Sequence, residues 1–179
     1  MPWSLALPQA IFASPLLSTL TPIATGSAVG YLVNRHGTTP KYNTLVQPPL
    51  SPPAWLFPPV WTLLYGIMGF AAHHASTKIP RGPALSTTQT LYTTQLLLNH
   101  LWMPLFFSLR KPALAAADIL LLGGNVLALM RSWWDTDPLA FWLMVPYGAW
   151  LGYATYLNLG VGVLNNWRIP EPGEKGKGE

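Results

Sequence analysis

The chain has 179 residues, room for one domain, and half of them are hydrophobic while only 9% are charged. A soluble domain carries about a quarter charged residues, so mean hydropathy of +0.29 and this charge deficit exclude an ordinary soluble enzyme. The absence of cysteine excludes disulfides, thiolate metal sites and a cysteine nucleophile. The pI near 9.5 comes from few charges and no dense basic patch, which excludes nucleic acid as a partner class.

The charges are segregated. All six acids (Asp118, Asp135, Asp137, Glu171, Glu174, Glu179) follow residue 117. Residues 1–34, 42–77, 82–109 and 138–167 contain no Asp, Glu, Lys or Arg, and 112–130 contain only Asp118. Each stretch supplies the roughly 20 mostly apolar residues that a membrane-crossing helix needs. The expectation is an all-α integral membrane bundle of five transmembrane helices near 9–34, 56–77, 85–109, 112–131 and 138–163, forming one domain over 1–169. The first segment lacks a basic start and is interrupted by Pro8, Pro15 and Pro22, so it reads as a retained, Pro-kinked span and not a cleaved signal. The connections are a Pro-rich loop at 35–55, turns at 78–84 and 110–112, and a link at 133–138. The Gly, Lys and Glu tail from 170 to 179 reads as disordered.

Arg35, Lys41, Arg110, Lys111, Arg168, Lys175 and Lys177 fall on one side of this arrangement, and Lys78, Arg81 and Arg131 on the other. Seven against three places the C-terminus in the cytosol by the positive-inside rule.

At 100° per residue, polar and aromatic side chains align in stripes. The second span carries Trp61, Tyr65, Met68 and Ala72 on one face, and the third carries Tyr92, Gln95, Asn99, Trp102 and Phe106. The fourth aligns Asp118, Leu122, Asn125 and Leu129, and the fifth Tyr147, Trp150, Ala154, Asn158 and Asn165. Unpaired polar groups facing lipid cost roughly 2–7 kcal/mol each, so the stripes face the interior. Two readings stay open: the amides bond helices together, or Trp, Tyr and Asn wall a ligand site. Trp3, Trp133, Trp134 and Trp167 fall at span ends, where an interfacial belt explains them; Trp61, Trp102, Trp142 and Trp150 do not. Asp118, the one acid inside a span, reads as structural ahead of proton transfer. His73 and His100 differ in depth by roughly 16 Å, and His36 lies at the opposite face from His73 and His74, so a bis-histidine haem is disfavoured. Gly26-x-x-x-Gly30 and Gly148-x-x-x-Gly152 permit close helix approach, inside the bundle or in a dimer.

The run Pro52-Pro53-Ala54-Trp55-Leu56-Phe57-Pro58-Pro59-Val60-Trp61-Thr62-Leu63-Leu64-Tyr65-Gly66-Ile67-Met68-Gly69 resembles the translocator protein family, also called tryptophan-rich sensory protein or peripheral-type benzodiazepine receptor. Leu91-Tyr92-Thr93-Thr94-Gln95 with Asn99, Trp102, Pro104, Phe106-Phe107 and Asp118 agrees, as does Pro146-Tyr147-Gly148-Ala149-Trp150 with Leu157-Asn158. The resemblance runs from about residue 9 to 166. It implies a five-helix membrane protein, often a homodimer, that binds porphyrins, sterols such as cholesterol and benzodiazepine-site drugs between its helices under the first loop. Carried over by position, the pocket is Tyr42, Pro52, Trp61, Asn99, Ile119, Trp150 and Ala154; the stripes add Tyr65, Trp102 and Tyr147. Indoles there would stack on a flat macrocycle, Asn99 would orient a carbonyl or carboxylate, and Lys41 or Arg35 would meet propionates.

This sequence departs from the family at Lys41 and Leu50, where a Trp is usual. After Asn158 it reads Leu159-Gly160-Val161-Gly162-Val163, without the Tyr and basic residue of the cholesterol-recognition motif. The resemblance implies no cofactor and no metal; protoporphyrin IX or haem enters as ligand. The leading reading is a membrane receptor or carrier for tetrapyrroles and related hydrophobic ligands. Its rival is an enzyme that degrades porphyrin in light with Trp61 and Trp150 as oxidisable indoles, although the sequence offers no acid–base pair or nucleophile triad. A third reading is a structural adaptor. Eukaryotic family members imply the outer mitochondrial membrane, and plant relatives imply secretory membranes.

Overall fold

The computed structural model describes residues 5–35 and 37–169. Trp3, His36 and the 170–179 tail with Lys175 and Lys177 lie outside the described residues. Among those residues the chain is all helix: α1 (Gln9–Ala13), α2 (Pro15–Asn34), α3 (Thr38–Thr44), α4 (Phe57–Lys78), α5 (Pro83–Met103), α6 (Pro112–Trp134) and α7 (Pro138–Leu164). A 3₁₀ turn at Ala54–Leu56 leads into α4, and α5 continues as a π-helical turn over Pro104–Ser108.

Prolines set most of the boundaries. Pro15, Pro83, Pro112 and Pro138 each open a helix, where the missing N–H is not needed. The expected single span at 9–34 is instead two helices. Pro15 disfavours α-helical backbone at the residue before it, and Ser14 is extended there (φ −109°, ψ 123°). The Ser14 hydroxyl then caps α2 by accepting from Leu17 N at 3.3 Å. Pro22 stays inside α2 and is buried. The first loop, expected to be irregular, contains α3.

The five long helices are α2 and α4 to α7. Helices α2, α4 and α6 are long and apolar enough to cross a membrane. Helices α5 and α7 have 21 and 27 residues, and Thr, Gln and Asn in one and Trp, Tyr and Pro in the other lower their hydropathy. The five pack as a ring in the order α2, α4, α7, α6, α5, so α4 and α5, consecutive in sequence, are not neighbours in the ring and meet through side chains such as Tyr65 and Asn99.

Helices α2 and α4 are pinned through glycines. Ser18 Oγ donates to the Gly69 carbonyl at 2.7 Å, and a methyl added at Gly69 would fall on the Ser18 carbonyl oxygen. Gly26 lies flat against the Tyr65 ring. Of the remaining GxxxG positions, Gly148 faces Met130, whereas Gly30 and Gly152 have open space.

Helix α1 closes one end of the ring. Phe12 is fully buried, edge-on to Tyr92 at 5.7 Å, and its carbonyl meets His73 Nδ1 at 2.7 Å. Gln89 reaches Gln9 and Ser76, and Leu7 N donates to Thr93 Oγ1. At the same end Asp137 caps α7 and pairs with His74 Nδ1 at 2.6 Å.

Candidate ligand cavity between the helices

The opposite end is hollow. A cavity of about 440 Å³ runs between the helices under the first loop, within the size range of small-molecule sites. Trp61 and Tyr65 enter it from α4, Asn99 and Trp102 from α5, Ile119 from α6, and Trp150 and Ala154 from α7, with Tyr42 from α3. These eight expected site residues converge on one space. The other two do not line it. Pro52 contributes its carbonyl to the Tyr42 hydroxyl at 2.8 Å, and Tyr147 is fully buried behind the wall.

Behind the wall the polar stripes join. Tyr65 Oη donates to Asn99 Oδ1 at 2.6 Å, Asn99 Nδ2 donates to Tyr147 Oη at 3.1 Å, and Tyr147 Oη donates to Gln95 Oε1 at 3.0 Å. Asn158 accepts from Trp102 Nε1 at 2.8 Å and donates to the Pro112 carbonyl. Asn125 Nδ2 donates to the Leu91 carbonyl, joining α6 to α5. Both readings of the amides therefore apply to different residues: Asn125 links helices only, while Asn99 links helices and also faces the cavity. Asp118 is buried, and its Oδ2 has no hydrogen-bond partner among the described residues.

The loop forms the cavity's cap and is strapped to α7. Tyr153 Oη donates to the Leu50 carbonyl at 2.6 Å and Tyr156 Oη to that of Pro49 at 2.9 Å. Asn165 exchanges bonds with both N and O of Val46. Tyr42 meets Phe57 at 5.6 Å, and Phe57 meets Trp150 at 6.2 Å, both edge-on. Burial raises the Tyr42 phenol above its ordinary pKa; nearby Tyr153 adds to the rise and Ser51 opposes it.

Among the described residues no charged side chain lines the cavity. Lys41 Nζ donates instead to the Phe107 carbonyl at 3.2 Å, and the Arg35 guanidinium lies 5.9 Å over the Tyr31 ring. On the side between α2 and α4 the wall is thin. Ser27, Tyr31 and Asn34 on one helix and Pro58 and Thr62 on the other line the cavity and are exposed.

Two of the indole placements differ from expectation. Trp142 points outward, 62% exposed, because the buried face of α7 runs through Ala140, Met144, Tyr147 and Leu151 and position 142 lies off it. Trp133, expected in an interfacial belt, is in the core because α6 runs three residues past its expected end at 131. Sequence reasoning missed Gln47, Phe57, Met103 and Phe107, which also line the cavity. A Pro-rich loop has no periodicity to show Gln47, and Met103 immediately precedes the π-helical turn and Phe107 lies within it, where 100° spacing fails.

Comparison with known proteins agrees with this architecture. The chain is 44% identical over 150 residues to a translocator protein homolog of Schizosaccharomyces pombe, covering 83% of this chain and 90% of that one. It is 37% identical over 129 residues to the translocator protein of Homo sapiens (71% of this chain, 76% of that one). It is 38% identical over 130 residues to the tryptophan-rich sensory protein of Cereibacter sphaeroides (73% and 79%). The sequence model of the TspO/MBR family matches residues 18–164, and the protein, an all-α membrane bundle, belongs to that family.

Proposed function

We propose that the protein is a membrane receptor or carrier that binds porphyrins and related hydrophobic ligands, sterols among them, in the cavity between its helices. The observation that carries this reading is the cavity walled by Trp61, Trp102 and Trp150 around Asn99, with no charged side chain among its described lining residues. Three indoles offer flat faces and edges to a conjugated ring, and one amide fixes its orientation. The capped end is the end with the excess of Lys and Arg, so the cap and the C-terminus face the cytosol in this reading. Relatives named translocator proteins favour an intracellular membrane, the mitochondrial outer membrane first and secretory membranes second.

Titrating protoporphyrin IX into the detergent-purified protein in the dark, with Trp fluorescence as readout, tests it. Saturable quenching is expected, with weaker affinity in Trp150→Phe. Linear quenching, equal in both proteins, would show partition into detergent and sink the assignment. The enzyme reading has one observation in its favour. Trp150 lies 5.5 Å from Tyr153, which stacks on Tyr156 at 6.4 Å, a row of oxidisable rings from the cavity to the surface. A product that forms in light and is lost in Trp61→Phe or Trp150→Phe decides for it.

A further inference from the structure

The second half of the first loop runs down the side of the bundle along α7. Asn165 holds Val46, Pro48 packs against the bare Gly160, Tyr156 holds Pro49 and Tyr153 holds Leu50. These partners step back along α7 from residue 165 to 153, about 18 Å at 1.5 Å per residue. Helix α4 then begins at Phe57, whose ring meets Trp150, further still from the capped end of α7. Residues 46–56 thus stand beside the last turns of α7, where α4 has not yet started.

Their depth follows from the far end of the bundle. The His74–Asp137 pair marks one edge of the apolar zone there, and a hydrocarbon core is about 30 Å thick. Measured along α7 from Asp137, that thickness ends near Leu157. Tyr153 and Tyr156 fall inside it, and the carbonyls they hold lie at its margin.

Irregular backbone is kept from that depth because unpaired N–H and C=O groups are costly there, and this segment largely lacks them. Pro48, Pro49, Pro52 and Pro53 have no N–H to pair. The carbonyls of Val46, Pro49, Leu50 and Pro52 accept from the side chains of Asn165, Tyr156, Tyr153 and Tyr42. Those of Pro48 and Pro53 accept from the backbone N of Ser51 and Leu56. No residue from 42 to 77 is charged.

The apolar side chains of the segment face outward. Leu50 is 87% exposed, Trp55 70%, and Val46 is exposed as well. Leu50 takes left-handed backbone (φ 65°) to do so, a conformation that residues other than glycine adopt at a cost. The three extend the outward apolar face of α7, which carries Tyr156, Leu159 and Val163.

We infer that residues 46–55 form a membrane-embedded strap: Val46, Leu50 and Trp55 contact the acyl chains of the leaflet on the capped side, and the tyrosine hydroxyls of α7 pair the carbonyls that lipid cannot.

The chain has no cysteine, so Leu50→Cys can carry a nitroxide in proteoliposomes. Its collisions with oxygen, which concentrates in lipid, are compared with those of a water-soluble nickel chelate. Leu121→Cys, exposed in the middle of α6, is the lipid reference, and the exposed Lys111→Cys the water reference. At position 50 the oxygen-to-chelate ratio is expected to match that at 121 and to exceed that at 111 severalfold. A ratio like that at 111 overturns the proposal, and rare collisions with both reagents overturn it in favour of a second protein copy on this face. Trp55→Cys repeats the reading if Leu50→Cys folds poorly. Tyr153→Phe combined with Tyr156→Phe bares two carbonyls and is expected to move the label at position 50 toward the water value; an unmoved label overturns the part given to the tyrosines. Neither readout depends on a bound ligand.

Discussion

Asn99 has both ends of its amide committed, Oδ1 to the Tyr65 hydroxyl and Nδ2 to that of Tyr147, and it still faces the cavity. Replacing it with Leu removes two bonds and strands the Tyr65 hydroxyl, whereas Tyr65→Phe removes one donor and its ring stays in place. Asn99→Leu is therefore expected to lower stability by about 1–3 kcal/mol and Tyr65→Phe by less, near the ~0.6 kcal/mol average of interhelical bonds in membranes. Thermal unfolding in detergent orders the two, and equal losses would refute the network. Helical spacing was enough to find Trp61, Asn99, Trp150 and Ala154, because a polar or aromatic side chain in an apolar span has few stable directions to point. It was not enough for Trp142, which shares the residue type of the cavity indoles but sits on the outer face. Nor could it reach Gln47, which a loop bond to Tyr42 that no local pattern encodes holds at the cavity.

At the scale of elements, charge gaps and prolines made the long helices legible. The expected spans at 112–131 and 138–163 compare with Pro112–Trp134 and Pro138–Leu164. The break at Ser14 was implicit in the same prolines, but an extended residue and a tight kink read alike in sequence. The two GxxxG motifs were the less informative signal, since the closest helix approach uses Gly69, outside both. Gly69→Leu forces a side chain onto the Ser18 backbone carbonyl, which cannot move aside without shifting α2. A loss toward the upper end of the roughly 1–3 kcal/mol typical of overpacking is expected. Gly152→Ala, with open space around it, should change stability by no more than about 0.5 kcal/mol. Chemical denaturation of both variants checks the contrast, and equal effects would mean that α2 and α4 are not held at Gly69.

Across the whole molecule the two ends of the ring differ in kind. One is filled by α1 and tied by His73, Gln89 and the His74–Asp137 pair; the other is hollow under a strapped loop. The order of the helices around the ring was not legible, because it depends on which faces fit and not on any span alone. The bias of seven basic residues against three gives the bundle a direction that can be measured. The chain has no cysteine, so single cysteines at Ser108 and at Arg81 can be labelled with an impermeant maleimide in sealed vesicles. Ser108→Cys should label from the cytosolic side and Arg81→Cys from the other; the reverse pattern would invert the topology.

For the proposed ligands, the thin wall between α2 and α4 makes the surrounding lipid part of the binding equilibrium. Ser27, Tyr31 and Thr62 border the cavity and also the bundle's outer surface, so a solute dissolved among acyl chains lies beside its site without returning to water. The concentration that governs occupancy is then the mole fraction in the bilayer, set by a partition coefficient that grows with each buried methylene. Doubling the lipid at constant protein should raise the total ligand per litre of sample needed for half-saturation nearly twofold, while the same point expressed per lipid molecule stays fixed. What looks like tight recognition of one greasy ligand over another will, in part, be the solvent power of the membrane itself.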